Sequence, residues 1–187
     1  MQKYAFIENI PELSVQPYEF SFDDGEWIST VAGKDGIDAC MAYAERLLAD
    51  GYSLINLCGD FGPEHVASLM HDAADGTEVH YAAYFPAELA KLDALEQYIE
   101  YGQIIFGGVE EPKRFDLESP QMNTHTVFVK DLDQAVEVAK QLAAEGMDGI
   151  ELCSGFDFEM TKAVIAAVES VNPRIPVGSN GVDSAEL

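Results

Sequence analysis

Two short runs carry the side chains whose types and spacing could do chemistry. The first reads Asn56-Leu57-Cys58-Gly59-Asp60-Phe61 and the second Glu151-Leu152-Cys153-Ser154-Gly155-Phe156, with the two Leu-Cys pairs 95 positions apart. Side chains alternate along a strand, so Asn56 with Cys58, and Glu151 with Cys153, share one face, while Leu57 and Leu152 take the other with the helices. A glutamate on such a face needs a partner or water, which makes Glu151 the candidate general base or metal ligand. Cys153 and Cys58 are the candidate nucleophiles. Asn56, Gly59, Phe61, Gly155 and Phe156 are the candidate substrate contacts, and the amides of the turns could cradle an anion.

A plainer reading stands beside this one. Free cysteine behaves as a small buried apolar group, and no basic residue within five positions of Cys58 or Cys153 would lower a thiol pKa. Packing therefore accounts for both thiols more economically than nucleophilic attack does. His80 and His125 fall on strands and could meet Glu151 at a common mouth. His65 and His71 are six apart and do not share a helix face as a pair at i and i+4 would. Gly59, Gly62 and Gly155 make no phosphate-binding fingerprint. No metal-ligand set is read from the spacing, and the sequence names no cofactor.

The elements that must position these residues recur twice. Ile37, Cys40, Met41, Ala44, Leu47 and Leu48 form one helical stripe, with Asp35 as N-cap and Gly51 as stop. Leu132, Ala135, Val136, Ala139, Leu142 and Ala143 form the second, with Asp131 before it, Gly146 after it, and Gly36 as the one extra residue of the first copy. Strands are expected at Lys3–Glu8, near Trp27–Ala32, at Leu54-Ile55, at Val79–Tyr84, at Gln103–Gly108, at Ile150–Leu152 and at Ile175–Ser179. Further helices are expected at Pro63–Ala74, Pro86–Tyr101 and Glu159–Val171, the second stopped by Gly102. The terminal Ser184-Ala185-Glu186-Leu187 falls where the first copy has Pro86-Ala87-Glu88-Leu89.

Strand–helix–strand units pair in parallel, so the chain is an α/β protein, internally duplicated and pseudo-twofold, with a mostly parallel sheet. The repeats are bounded at 1–102 and 103–187 and form one compact domain. Two closures fit: a compact (βα)8-like barrel or two open three-layer lobes. The barrel is preferred, because four strands per copy would otherwise leave sheet edges exposed.

Composition sets the outer limits. The 187 residues are 48% hydrophobic, enough to bury a core, and carry 34 acidic against 10 basic residues for a formal net charge of -24. Such a surface repels phosphate backbones and anionic lipid, which argues against nucleic acid and membrane as partners. The N-terminus lacks the pattern of a signal peptide, and three cysteines without metal spacing suit a reducing cytoplasm. A small neutral or cationic molecule is the partner class left, bound by a monomer or homodimer.

The run Val127-Phe128-Val129-Lys130-Asp131, the stripe Ala135 to Leu142, Gly146 and Ile150-Glu151-Leu152-Cys153-Ser154-Gly155-Phe156 resemble an uncharacterised bacterial family, the domain of unknown function 6506. Its members resemble single copies of about half this chain. The likeness is closer in the second half; in the first, Asn56 stands for the glutamate and Asp60 for a glycine. The resemblance implies the α/β repeat and no reaction. His125 to Val136 also looks like the opening of a glyoxalase-type metal module, but that fold follows its helix with three antiparallel strands, which this sequence does not predict.

Overall fold

In the computed structural model, residues 1–71 and 73–182 are described, so the Ser184–Leu187 stretch and part of the expected Pro63–Ala74 helix lie outside the described residues. The chain forms two compact units, Met1–Tyr81 with Ser119–Gln121, and Ala82–Glu118 with Met122–Leu187. The first unit contains β1 (Gln2–Asn9), β2 (Glu19–Asp23), β3 (Trp27–Lys34), α1 (Ile37–Ala49), β4 (Leu54–Leu57), α2 (Pro63–Met70) and β5 (Glu78–Tyr81). Its sheet runs β2-β3-β1-β4-β5. Only β2 is antiparallel to its neighbour.

The second unit contains β6 (Ala83–Tyr84), α3 (Pro86–Asp93), β7 (Glu100–Phe106), β8 (Lys113–Leu117), β9 (Asn123–Val129), α4 (Leu132–Glu145), β10 (Gly149–Leu152), α5 (Phe158–Glu169) and β11 (Val177–Ser179). Its sheet runs β6-β11-β10-β7-β9-β8. Without β6 this is the order of the first sheet, element for element, with β8 antiparallel in the place of β2. The duplication is thus structural. Among the described residues the strands form two mostly parallel sheets, one in each unit, and no closed barrel is formed by them. β2 and β8 sit inside stretches read as linkers and make a five-stranded repeat, and each places a charged or half-exposed strand at one end of its sheet.

Helix placement departs from expectation in two places, each for a local reason. The N-cap of α1 is Gly36, not Asp35; it has φ 89 and no capping side chain, while the carboxylate of Asp131 caps α4 by accepting the Gln134 N–H at 3.0 Å. Asp35 instead accepts the Glu12 N–H at 2.7 Å. Ile37 and Leu132, the first helical residues, are 95 apart like Leu57 and Leu152, so the first copy has no extra residue. The helix expected to reach Tyr101 stops at Asp93, and Gly102 lies within β7. There a Cβ would stand 3.3 Å from Leu142 Cδ1 and 3.2 Å from Ile150 Cγ1, which marks the sheet face that α4 covers.

The helical stripes form the core on that face. α1 buries Cys40, Tyr43, Ala44 and Leu47, and α4 buries Ala135, Val138, Ala139, Leu142 and Ala143. Tyr43 and Val138 enter, while Met41, Leu48 and Val136 are only half-buried, a small rotation of each stripe. Side chains of this size contribute about 1.5–3 kcal/mol each when fully buried. Removing a side-chain cap that the repeats do not share gives a test: Asp131→Ala should lower stability by about 1 kcal/mol in urea unfolding, because a donor at the helix start loses its acceptor. A change below ~0.3 kcal/mol would show that this cap does not hold α4.

Candidate functional site

The carboxylate of Glu151 lies in the middle of the second sheet and is 2% exposed. In register, Glu151 of β10 sits between Gln103 of β7 and Gly178 of β11. The Tyr84 hydroxyl donates to Oε1 at 2.6 Å, and the Tyr101 hydroxyl donates to Oε2. Tyr84 reaches it because β6 runs antiparallel to β11 with Tyr84 opposite Gly178. A Cβ on Gly178 would lie 2.5 Å from the Tyr84 Cζ, so only glycine lets the ring lie across the strand. Tyr101 is opposite Gly149, where the Tyr98 ring fills the space of a Cβ, and the two rings are 5.6 Å apart. Next to Glu151, fully buried Gln103 accepts from the Thr126 hydroxyl at 2.9 Å. These hydrogen bonds meet the cost of placing polar groups inside the sheet layers.

The first unit repeats half of this arrangement. Asn56 is fully buried and its Oδ1 accepts from the Tyr4 hydroxyl at 3.0 Å. Tyr4 pairs with Leu54 as Tyr101 pairs with Gly149, so one tyrosine of the central strand serves the residue before Leu-Cys in each copy. The position of Gly178 is taken by His80, in register with Asn56. His80 is turned to Glu78, 3.4 Å away, with a half-exposed side chain.

The thiols also do one job twice. Cys58 Sγ accepts the Asn9 N–H and Cys153 Sγ accepts the Phe106 N–H, each at 3.4 Å. Both are buried. Burial pushes the Cys153 thiol up, beyond the partial compensation from the Phe106 and Gly155 amides, and burial pushes Cys40 up to about 12. Neither is set up as a thiolate. The turns that follow are closed differently. In the second unit Phe106 stacks on Phe156 at 4.2 Å and lies over Gly155, where a Cβ would be 2.8 Å from its ring. In the first, Asn9 Nδ2 donates to Asp60 at 2.8 Å while its Oδ1 accepts the Gly36 N–H at 3.1 Å. Phe61 is buried there with its ring edge-on to His65, and Gly59 stands in the turn before it.

His125 does not join Glu151. It is in register with Gly102, on the helical face, whereas Glu151 is in register with Gln103 on the other. There its ring nitrogens face Glu100 Oε2 and Asp116 Oδ1, both at 2.7 Å, and Arg114 links Asp116 at 2.8 Å to Glu145 at 2.6 Å. The His125 hydrogen bond, with Asn123, holds the Glu100 carboxyl below the usual range. Burial pushes Asp116 up, but Arg114 and His125 outweigh it and the carboxyl ends below its ordinary value. Helix α4 is followed by β10, α5 and β11 in parallel, not by the three antiparallel strands of a glyoxalase-type module. Among the described residues no group of three or more His, Cys, Asp or Glu is placed to hold a metal ion.

Sequence reasoning missed the tyrosines. Tyr84, Tyr101 and Tyr4 supply the donors that a strand-borne carboxylate or amide requires, and Tyr101 was assigned to a helix end. The Family of unknown function (DUF6506) matches residues 2–97 and again 101–186. The chain belongs to this family. It is a tandem DUF6506 protein, two copies in one chain. No curated protein matches it. Among solved structures it is similar to an ABC transporter periplasmic solute binding protein from Actinobacillus succinogenes 130z, with bound D-allose, at 9% identity and TM-score 0.30 over 95% of this chain and 77% of that one.

Two measurements test the site. Tyr101→Phe leaves one oxygen of a buried carboxylate without its phenol and should cost about 1.5–3 kcal/mol in chemical unfolding, whereas Tyr4→Phe, against a neutral amide, should cost about 1 kcal/mol. Equal losses would mean that the charge of Glu151 is immaterial. The lowered carboxyls of Glu100 and Asp116 contribute stability that is present above the unfolded carboxylate range and lost as pH falls through their folded values. Glu100→Gln should therefore flatten the acid limb of the stability curve between roughly pH 5 and pH 3, read from thermal midpoints in a pH series; an unchanged limb would remove Glu100 from that account.

Proposed function

We propose that this DUF6506 protein is a non-catalytic α/β scaffold in which two repeats in one chain take the place of a pair of single-copy chains. One observation carries this reading: the groups with catalytic potential perform the same structural job in both units. Cys58 and Cys153 each accept a neighbouring strand's amide, and Tyr4 and Tyr101 each donate to the residue before Leu-Cys. The first unit does this with a neutral amide at Asn56, so the position serves the fold without any acid–base chemistry. Three free buried cysteines suit a reducing cytoplasm, and the net charge of -24 disfavours nucleic acid as a partner.

A second reading has an observation of its own. Only the second unit places a carboxylate at this position, and there both Tyr84 and Tyr101 donate to it. In that reading the second unit binds a small neutral or cationic metabolite at the strand ends, with Glu151 as the group that selects it. A thermal-shift screen of amines, neutral metabolites and divalent cations separates the two, because a ligand that binds only the folded state raises the midpoint. The scaffold reading expects no compound at 1,000-fold over its needed affinity to add the ~4 kcal/mol that saturation would give. A compound that raises the midpoint of the natural chain but not of Glu151→Gln establishes the binder and rejects the scaffold.

A further inference from the structure

The two sheets are alike except at one edge. In the second unit the outer side of β11 is covered by β6 in antiparallel pairing, Ser179 opposite Ala83. Beyond β6 the chain turns into α3, whose buried Glu88 accepts the outward Val177 N–H on Oε2 at 2.9 Å. Among the described residues of the first unit β5 is the end strand and carries no such neighbour. Register makes Val79 the counterpart of Val177, and Tyr81 that of Ser179, because Ile55 pairs with Val79 as Ile150 pairs with Val177. The Glu78 N–H is directed at Ser53 across the β4 side, so alternation turns the Val79 and Tyr81 amides outward. Among the described residues neither amide has a hydrogen-bond partner across that edge, although Val79 is 7% exposed.

An outward amide on a buried residue is costly when left unpaired. Edge strands that must stay open are blunted by charge, lysine or proline. The end strands β2 and β8 follow that rule, with Glu19 and Asp23 on β2 and Lys113, Arg114 and Asp116 on β8, while the two-residue end strand β6 is buried. β5, Glu-Val-His-Tyr, has a single carboxylate and no lysine or proline.

We propose that the β5 edge is a docking surface for an extended segment of a partner protein, added as an antiparallel strand. The segment it fits has the chemistry of Ala83–Glu88: two small or aromatic strand residues opposite His80 and Tyr81, a turn into a helix, and a glutamate in the first turn that accepts the Val79 N–H. Main-chain hydrogen bonds supply the affinity and the glutamate the selectivity, as in other strand additions. This surface is independent of whether Glu151 binds a ligand.

The probe is a fluorescein-labelled synthetic peptide of residues 82–93 of this chain, titrated with the full-length protein. Anisotropy should rise to saturation below about 1 mM, and the Glu88→Gln peptide should bind at least about tenfold more weakly. Amide hydrogen exchange places the contact: Val79 and Tyr81 should exchange rapidly in the protein alone and slow by about tenfold or more at saturation. Three results overturn the proposal. They are no rise in anisotropy by about 1 mM, binding that leaves both amides unprotected, and protection of both amides before peptide is added, which would mean that the edge is already closed.

Discussion

A carboxylate buried in a sheet sets the terms for everything around it. Leaving a polar group unpaired inside a sheet layer is costly, so both oxygens of Glu151 must be met, and the strands supply the donors. Tyr101 comes from the adjacent strand and needs only the normal alternation of side chains. Tyr84 must come over the top of β11, and that route exists because residue 178 is glycine and because residues 83–84 pair with β11. The same short strand continues into α3, where Glu88 takes the Val177 amide and Lys91 bonds both Glu88 and Glu169 on α5. One buried carboxyl group thus accounts for a glycine, an added strand and the docking of a helix that belongs by sequence match to the first repeat.

The first unit shows what the repeat looks like without that charge. The amide at Asn56 accepts from Tyr4, and among its described elements the added strand and the glycine are lacking. The strand ends diverge in step. Where the second unit stacks Phe106 on Phe156 over Gly155, the first clips Asn9 to Asp60 and to the start of α1. An apolar stack is exchanged for a polar clip at two positions, Asn9 for Phe106 and Asp60 for Gly155, while the phenylalanine of the turn is kept as Phe61 and Phe156, which is how coupled neighbours change while the backbone is kept.

Much of this was legible in the residues, and the parts that were not have physical reasons. The helical stripes and the Leu-Cys strand ends could be read because each is a local period repeated 95 positions apart. The barrel could not be decided, since closure depends on which strands lie side by side, and the decisive strands are short: Glu19–Asp23 and Lys113–Leu117 alternate over only five residues within polar stretches. The placement of Gly36 failed because an aspartate beside a glycine looks like a cap; the glycine's positive φ makes it the helix-start residue, and Asp35 is spent on another loop. His125 and Glu151 looked like partners because both fall on strands. A difference of one residue in register puts them on opposite faces, and no local signal fixes register between strands so far apart in sequence.

The acidity of the chain follows the same logic of where each charge can be met. Of the few cations, Lys34 pairs with Glu19, Lys91 with Glu88 and Glu169, Arg114 with Asp116 and Glu145, Lys140 with Glu137, and Lys162 with Glu159. Most of these pairs are exposed, and each contributes at most about 1 kcal/mol. These cations are therefore spent locally, and acidic residues still outnumber basic ones, 34 to 10, over the chain. That surplus repels and is screened by salt, whereas the Glu151 network, removed from solvent, is not. Added salt should then relieve the surface repulsion and leave the buried centre as it is, so the carboxyl that organises the second sheet and the charge that colours the surface act on separate scales.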